Sequence, residues 1–222
     1  MSRSSYQAVL FDLDGTLIDS APDLAGAAND MRSARGLAQT PYAELRPMVG
    51  SGARGMLHAA FGITPAAAEF EAMKHEFLQL YEQRMTRMTQ VFDFIWPVLD
   101  ELDERGIAWG IVTNKASRFA APLVAALQLH PRAAALVAGD TTPHSKPHPA
   151  PLLEGARQLG LAPGACLYVG DDLRDVQAGR AAGMATAAAA WGYLGVGEHI
   201  EDWGADHLLQ QAAELLNLPG MA

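Results

Sequence analysis

The chain has 222 residues, 50% of them hydrophobic and 18% charged, with 16 Lys and Arg against 25 Asp and Glu. That composition supplies a sizeable core and excludes disorder, while a formal charge of −9 disfavours nucleic acid and anionic membrane as partners. No apolar run approaches the roughly 20 residues of a membrane helix, Met1 to Gln7 lacks a signal-peptide profile, and the single Cys166 excludes an internal disulfide and a cysteine zinc site. The expectation is a soluble, cytoplasmic globular protein, built as one domain or as a core carrying a smaller inserted one.

In chain order, residues 7–11 form a short apolar run of strand formers that ends abruptly in Asp12-Leu13-Asp14-Gly15-Thr16. From about residue 20 to residue 88 the pattern turns helical, with segments at 22–34, 53–61 and 65–85. Pro65 is placed for a helix start, and Phe70, Met73, Phe77, Leu80, Tyr81 and Met85 recur at helical spacing. These side chains are expected to form the segment's own core. Beyond it, strand candidates at 107–112, 135–138, 166–169 and 185–190 alternate with helix-length segments at 93–105, 117–127, 150–159 and 173–182. Gly106, Gly160 and Gly183 stand where helices should stop. Near-continuous apolar strands alternating with helices predict a doubly wound α/β fold on a parallel sheet, interrupted after its first strand by a helical insertion.

Residues suited to chemistry collect at strand ends. The first strand delivers Asp12 and Asp14, the second Thr113 and Asn114, and the fourth Asp171 and Asp172, while Lys146 follows the third. In an open parallel sheet these ends share one edge, so the residues converge on one crevice. A carboxylate such as Asp12 can attack phosphorus, and Asp14 can protonate a leaving oxygen and then deprotonate water. An exposed Asp-Gly turn is the plain alternative, but this pair terminates a strand too apolar for a surface edge. Two acids beside a phosphate dianion need a cation, and hard oxygen ligands select Mg²⁺, with Asp171 as the added ligand. Asp172 and Asp175 suit helix capping as well as metal binding. The Thr113 hydroxyl and nearby amides suit phosphoryl oxygens. Prolines restrict Ser145-Lys146-Pro147-His148-Pro149 and can aim Lys146 inward.

In order, Asp12-Leu13-Asp14-Gly15-Thr16, Thr113-Asn114, Lys146-Pro147 and Gly170-Asp171-Asp172-Leu173-Arg174-Asp175 resemble the four motifs of the haloacid dehalogenase superfamily. The resemblance implies a Rossmann-like core of residues 1–18 and 89–222, with an inserted α-helical cap over 19–88 that closes on substrate and excludes water. It implies Asp12 as nucleophile, Asp14 as acid and base, Thr113 as phosphoryl binder with Asn114 beside it, and Lys146 steadying nucleophile and phosphate. Mg²⁺ would be held by Asp12, the Asp14 carbonyl and Asp171. Within the superfamily the chain is similar to bacterial phosphoglycolate phosphatases through residues 9–20, Val49-Gly50-Ser51-Gly52-Ala53, Val112-Thr113-Asn114-Lys115 and the helix end at Gly183. It is similar also to the phosphatases of N-acetylmuramic acid 6-phosphate through Ser51-Gly52-Ala53-Arg54, Ala108-Trp109-Gly110, Arg118-Phe119-Ala120 and Trp203-Gly204-Ala205-Asp206. The implied activity is hydrolysis of a small phosphorylated metabolite through an aspartyl-phosphate, by a monomer or homodimer. Phosphoglycolate is the first candidate substrate and the muramic acid phosphate the second. Phe94 departs from the family, whose members often carry Gly after the cap, and its bulk is expected to stiffen the hinge.

Other activities compete. A β-phosphoglucomutase-like phosphomutase would release little inorganic phosphate, and a dehalogenase needs neither Asp14 nor Asp171. A non-enzymatic phospho-receiver normally carries its Asp on a later strand and lacks a large insertion. Gly50-Ser51-Gly52-Ala53-Arg54 reads either as a substrate-binding helix start using Arg54 or as an ordinary turn. Lys115, His144 and His148 are expected in solvent, Cys166 in a buried strand, and Trp191, Tyr193 and Trp203 in packing.

Overall fold

Strand β1 (Ala8–Phe11) is apolar throughout, and all of its residues are buried, which places it at the centre of a sheet covered on both faces. The computed structural model describes residues 5–221. After β1 come β2 (Ile18–Asp19), α1 (Ala21–Ala34), α2 (Tyr42–Leu45), α3 (Gly52–Phe61), α4 (Phe70–Glu82) and β3 (Gln90–Val91). The chain continues through α5 (Trp96–Glu104), β4 (Ala108–Val112), α6 (Ser117–Ala126), β5 (Leu136–Val137) and α7 (Ala150–Leu159). It ends with β6 (Cys166–Gly170), α8 (Leu173–Ala182), β7 (Ala185–Ala189) and β8 (His207–Leu209).

The main sheet has the order β5-β4-β1-β6-β7-β8, and every neighbouring pair is parallel. Ala8 faces Ala108 on one side and Cys166 on the other. The pleat sends Val9 and Phe11 into one hydrophobic cluster and Ala8 and Leu10 into another, the latter shared with Leu152 and Ala156 of α7. Gly155 lets α7 lie close on this face, since a Cβ there would come within 3.0 Å of Leu10 and Val112. The chain winds first to the β4 side of β1 and then to the β6 side. The switch point is therefore β1 itself, and the crevice opens at the C-terminal ends of β1, β4 and β6.

Helices α1 to α4 and a 3₁₀ turn (Arg46–Ser51) form the insertion. It leaves and rejoins the core through β2 and β3, which pair antiparallel with Ile18 opposite Val91. The insertion does not keep a core of its own. Met31, Phe77 and Tyr81 join the same cluster as Ile95 and Phe119 of the main fold, and the Tyr81 and Phe119 ring centroids lie 5.5 Å apart. The segment at 65–85 is helical only over Phe70–Glu82, because Phe70 is its first buried residue and the apolar face begins there. The segment at 93–105 starts at Trp96, with Pro97 in the first turn where its missing N–H has no helical partner to lose. The pairing of β2 with β3, the short α2 and the edge strand β8 carry no periodicity long enough to announce them. No helix among the described residues is long and apolar enough to cross a membrane.

Asp23 of α1 ties the two ends of the insertion together. Its fully buried carboxylate accepts the N–H groups of Met88 and Thr89 at 2.9 and 2.8 Å and the Thr89 hydroxyl at 2.8 Å. Asp23→Ala leaves these donors without an acceptor and is expected to cost about 3–5 kcal/mol in urea denaturation.

Candidate active site

A cavity of about 540 Å³ lies between the sheet edge and the insertion. The core contributes Asp12, Asp14, Thr113, Asn114, Lys146 and Asp171, and the insertion contributes residues 49–53 together with Phe77 and Tyr81. The residues singled out at three strand ends and one loop therefore meet in one place.

Lys146 is 4% exposed and sits among acids, its Nζ 2.9 Å from Asp12 Oδ1 and 2.7 Å from Asp175 Oδ1. It also donates to the Val112 carbonyl at 3.1 Å and the Tyr168 hydroxyl at 2.8 Å. Burial works against the ammonium, but the charges of Asp12 and Asp175 outweigh it and its pKa rises. Asn114 fixes this loop. Its side chain donates to the Lys146 carbonyl at 3.0 Å and accepts the Lys146 N–H at 2.9 Å. Both ends of its amide thus position Lys146, while Asn114 also lines the cavity.

Asp12, Asp171 and Asp175 bring carboxylate oxygens within 4.8 Å of one another. Burial, then the charges of Asp12 and Asp175, pushes the Asp171 pKa well up, and burial likewise raises Asp175 despite Lys146 beside it. Three acids facing one lysine leave surplus negative charge, and all the donors are hard oxygens, so the set fits a divalent cation such as Mg²⁺. Asp175 thus stands in the acid group while also capping α8, so the two uses open to it coincide. It accepts the Asp172 N–H at 3.1 Å, and Asp172 accepts the Arg174 N–H at 2.9 Å. Asp172 pairs with the Arg174 guanidinium at 2.7 Å and stays outside the acid group.

The Asp14 side chain turns away from those acids. Lys115 Nζ donates to both of its oxygens at 2.9 Å, and the Ser20 hydroxyl donates at 2.5 Å. Lys115 was expected in solvent, yet its side chain is buried, lies 4.9 Å over the Tyr81 ring and lines the cavity. Burial lowers its pKa and the charge of Asp14 more than restores it. Thr113, 2% exposed, accepts the Lys115 N–H at 3.1 Å, which leaves its hydroxyl hydrogen for a ligand in the cavity.

Asp171 is held from two sides, by the Thr16 hydroxyl at 2.8 Å and the Tyr193 N–H at 2.8 Å. Gly15 has φ +84°, and a Cβ there would lie 2.2 Å from Asp171 Oδ2, so the turn after Asp14 admits only glycine. Trp191 and Tyr193 do more than pack, since the Trp191 indole donates to the Thr16 carbonyl at 3.0 Å. Trp203 does pack, against Val176 and Ala188. Cys166 is buried in β6 and the two histidines are exposed, His148 Nδ1 accepting the Ala150 N–H. Phe94 stacks on Phe92 at 5.1 Å and meets Trp191 edge-on at 5.9 Å, directly after β3.

Arg54 is exposed and does not line the cavity, because its turn presents Gly50, Ser51, Gly52 and Ala53 there instead. The arginines that do line it are Arg118 and Arg174, and Arg174 donates to the Gly50 carbonyl across the boundary between core and insertion.

Comparison with known proteins adds to this geometry. A sequence model described as haloacid dehalogenase-like hydrolase matches residues 9–189. The chain is 47% identical over 209 residues to a phosphoglycolate phosphatase of Xanthomonas campestris pv. campestris, covering 94% of each protein. It is 40% identical over 218 residues to an N-acetylmuramic acid 6-phosphate phosphatase of Pseudomonas aeruginosa, covering 98% of this chain and 96% of that one. The crystal structure of a predicted phosphoglycolate phosphatase from Haemophilus somnus superposes with a TM-score of 0.83 at 27% identity, across 96% of this chain and 97% of that one.

Proposed function

The chain belongs to the haloacid dehalogenase-like hydrolases, and from that premise we propose a Mg²⁺-dependent phosphatase that converts 2-phosphoglycolate to glycolate and phosphate through an aspartyl-phosphate on Asp12. The observation that carries this reading is the Asp12 carboxylate, 2.9 Å from a buried ammonium, with Asp14 two residues on in the same covered cavity.

Asp12 attacks phosphorus, the bond from phosphorus to the ester oxygen breaks, and that oxygen takes a proton from Asp14. Asp14, now ionised, removes a proton from water, which attacks the phosphorus and frees Asp12 with release of phosphate. Lys115 and Ser20 hold the Asp14 carboxylate at the cavity wall, and it exchanges those contacts for the ester oxygen and water in the two transfers. Lys146 and Thr113 stabilise the charge that gathers on the phosphoryl oxygens. Asp12, Asp171 and the Asp14 carbonyl, with Asp175 beside them, would hold Mg²⁺, which when bound would offset the charge of nucleophile and phosphate dianion.

A second reading takes N-acetylmuramic acid 6-phosphate as substrate. The cavity of about 540 Å³ favours it, since a two-carbon acid phosphate fills only a small part of that space. A screen of phosphate esters containing both compounds separates the two. A preference of at least roughly 100-fold in kcat/KM, about 2.7 kcal/mol, assigns the substrate. EDTA is expected to abolish turnover and added Mg²⁺ to restore it, and turnover indifferent to EDTA removes the metal from the proposal. Stoichiometric labelling without release of phosphate would point instead to a receiver, and transfer to a second hydroxyl to a mutase.

A further inference from the structure

Tyr193 takes no part in the reaction above, yet it touches three regions that the reaction needs aligned. Its backbone N–H donates to Asp171 Oδ2 at 2.8 Å. Its hydroxyl accepts the N–H groups of Ser20 and Ala21 at 2.8 and 3.0 Å, where α1 begins, and donates to Asp19 Oδ1 at 3.0 Å in β2. The Arg46 guanidinium covers its ring at 4.9 Å from the centroid and donates to the neighbouring Gly192 carbonyl at 3.2 Å. Arg46 belongs to the 3₁₀ turn of the insertion, and Asp19 to the strand through which the insertion leaves the core.

There is little slack between these contacts. A Cβ at Gly192 would fall 2.1 Å from Asp171 Cβ, and one at Gly15 would fall 2.2 Å from Asp171 Oδ2 and 2.8 Å from the Tyr193 ring. Backbone from both ends of the chain is thus moulded onto one carboxylate, and a shift of the tyrosine ring is passed to it.

We propose that Tyr193 is a positioning residue that couples closure of the insertion to the geometry of Asp171. The proposal rests on Asp171 binding the metal, as set out above. The hydroxyl stays with the first turn of α1 and acts as a pivot. The ring face carries Arg46, which must leave when the insertion swings about β2 and β3. A fixed Asp171 therefore favours closure, and closure favours a fixed Asp171 by the same factor.

Tyr193→Phe keeps the ring and its Arg46 contact but leaves the Ser20 N–H without its acceptor and the Ala21 N–H with only Asp19 Oδ1 at 3.3 Å. With Mn²⁺ as the probe, followed by electron paramagnetic resonance without substrate, its dissociation constant is expected to rise about fivefold or more. Hydrogen exchange at residues 18–21 and 90–91 should quicken, and KM should rise by a larger factor than kcat falls. Arg46→Ala, which leaves every contact of Asp171 in place, should quicken exchange across Arg46–Ser51 and weaken Mn²⁺ binding by about twofold to threefold. A lower Tm in Tyr193→Phe with unchanged Mn²⁺ affinity and hinge exchange reduces Tyr193 to a structural part and overturns the coupling. Wild-type protein that binds no Mn²⁺ overturns the metal assignment itself, and the two failures are told apart by that control.

Discussion

Asp12→Asn is expected to lower phosphate-ester hydrolysis by about 10⁴-fold or more while the protein stays folded. The substitution preserves volume, and an amide oxygen can still face the Lys146 ammonium. What it removes is a nucleophile with a full negative charge, and no other carboxylate stands in its place, since Asp14 is turned to Lys115 and Asp171 to Thr16 and Tyr193. It also removes one of three acids crowded together, two of them on a single ammonium, so thermal stability should hold or rise slightly. Hydrolysis of p-nitrophenyl phosphate, read beside far-UV circular dichroism, decides the matter. Normal turnover by a folded variant ends the claim for Asp12.

Lys146→Met is the second large effect, and it acts on stability and rate together. The side chain keeps similar bulk, but Asp12 and Asp175 lose the only cation among the described residues that touches both. Uncovering buried charge in this way costs about 3–5 kcal/mol, and the fall in kcat should reach about 10²-fold or more because the phosphoryl oxygens lose an ammonium. The stability loss should be largest in EDTA and shrink in Mg²⁺, which neutralises the same acids. Thermal melts in the two buffers test this directly. An equal loss in both would mean that Lys146 and the cation do not share the Asp12 and Asp175 carboxylates.

The main sheet was legible because its strands are buried on both faces and their apolar runs are unbroken, from Ala8–Phe11 to Cys166–Gly170. Three of these runs also ended in polar residues, at Asp12, Thr113 and Asp171, and parallel topology alone brings such ends together. Asp175 carried a readable signal in its spacing from Asp172, since three residues is the interval of a capping box, but capping concealed its second contact with Lys146. Lys115 looked like a loop lysine because its partners, Asp14 and Tyr81, come from the first strand end and from the insertion. Tyr193 offered no pattern, as its hydroxyl meets the start of α1 far away in sequence. The two readings of Arg54 stayed open for the same reason. The turn at Gly50 is local, but which of its neighbours faces the cavity depends on how the insertion lies on the core.

The central place of β1 has a consequence for how the protein is made. The strand bearing Asp12 leaves the ribosome first, yet its two neighbours, β4 and β6, follow only after the whole insertion and much of the core. Until then an unbroken apolar strand has both hydrogen-bonding edges free, which is the condition under which nascent chains pair wrongly or associate. Loop closure over such separations slows folding. The helices between β2 and β3, local in their contacts, can form during that wait and cover part of the exposed surface. The insertion would then serve as a shield during biosynthesis before it covers the cavity of the folded protein.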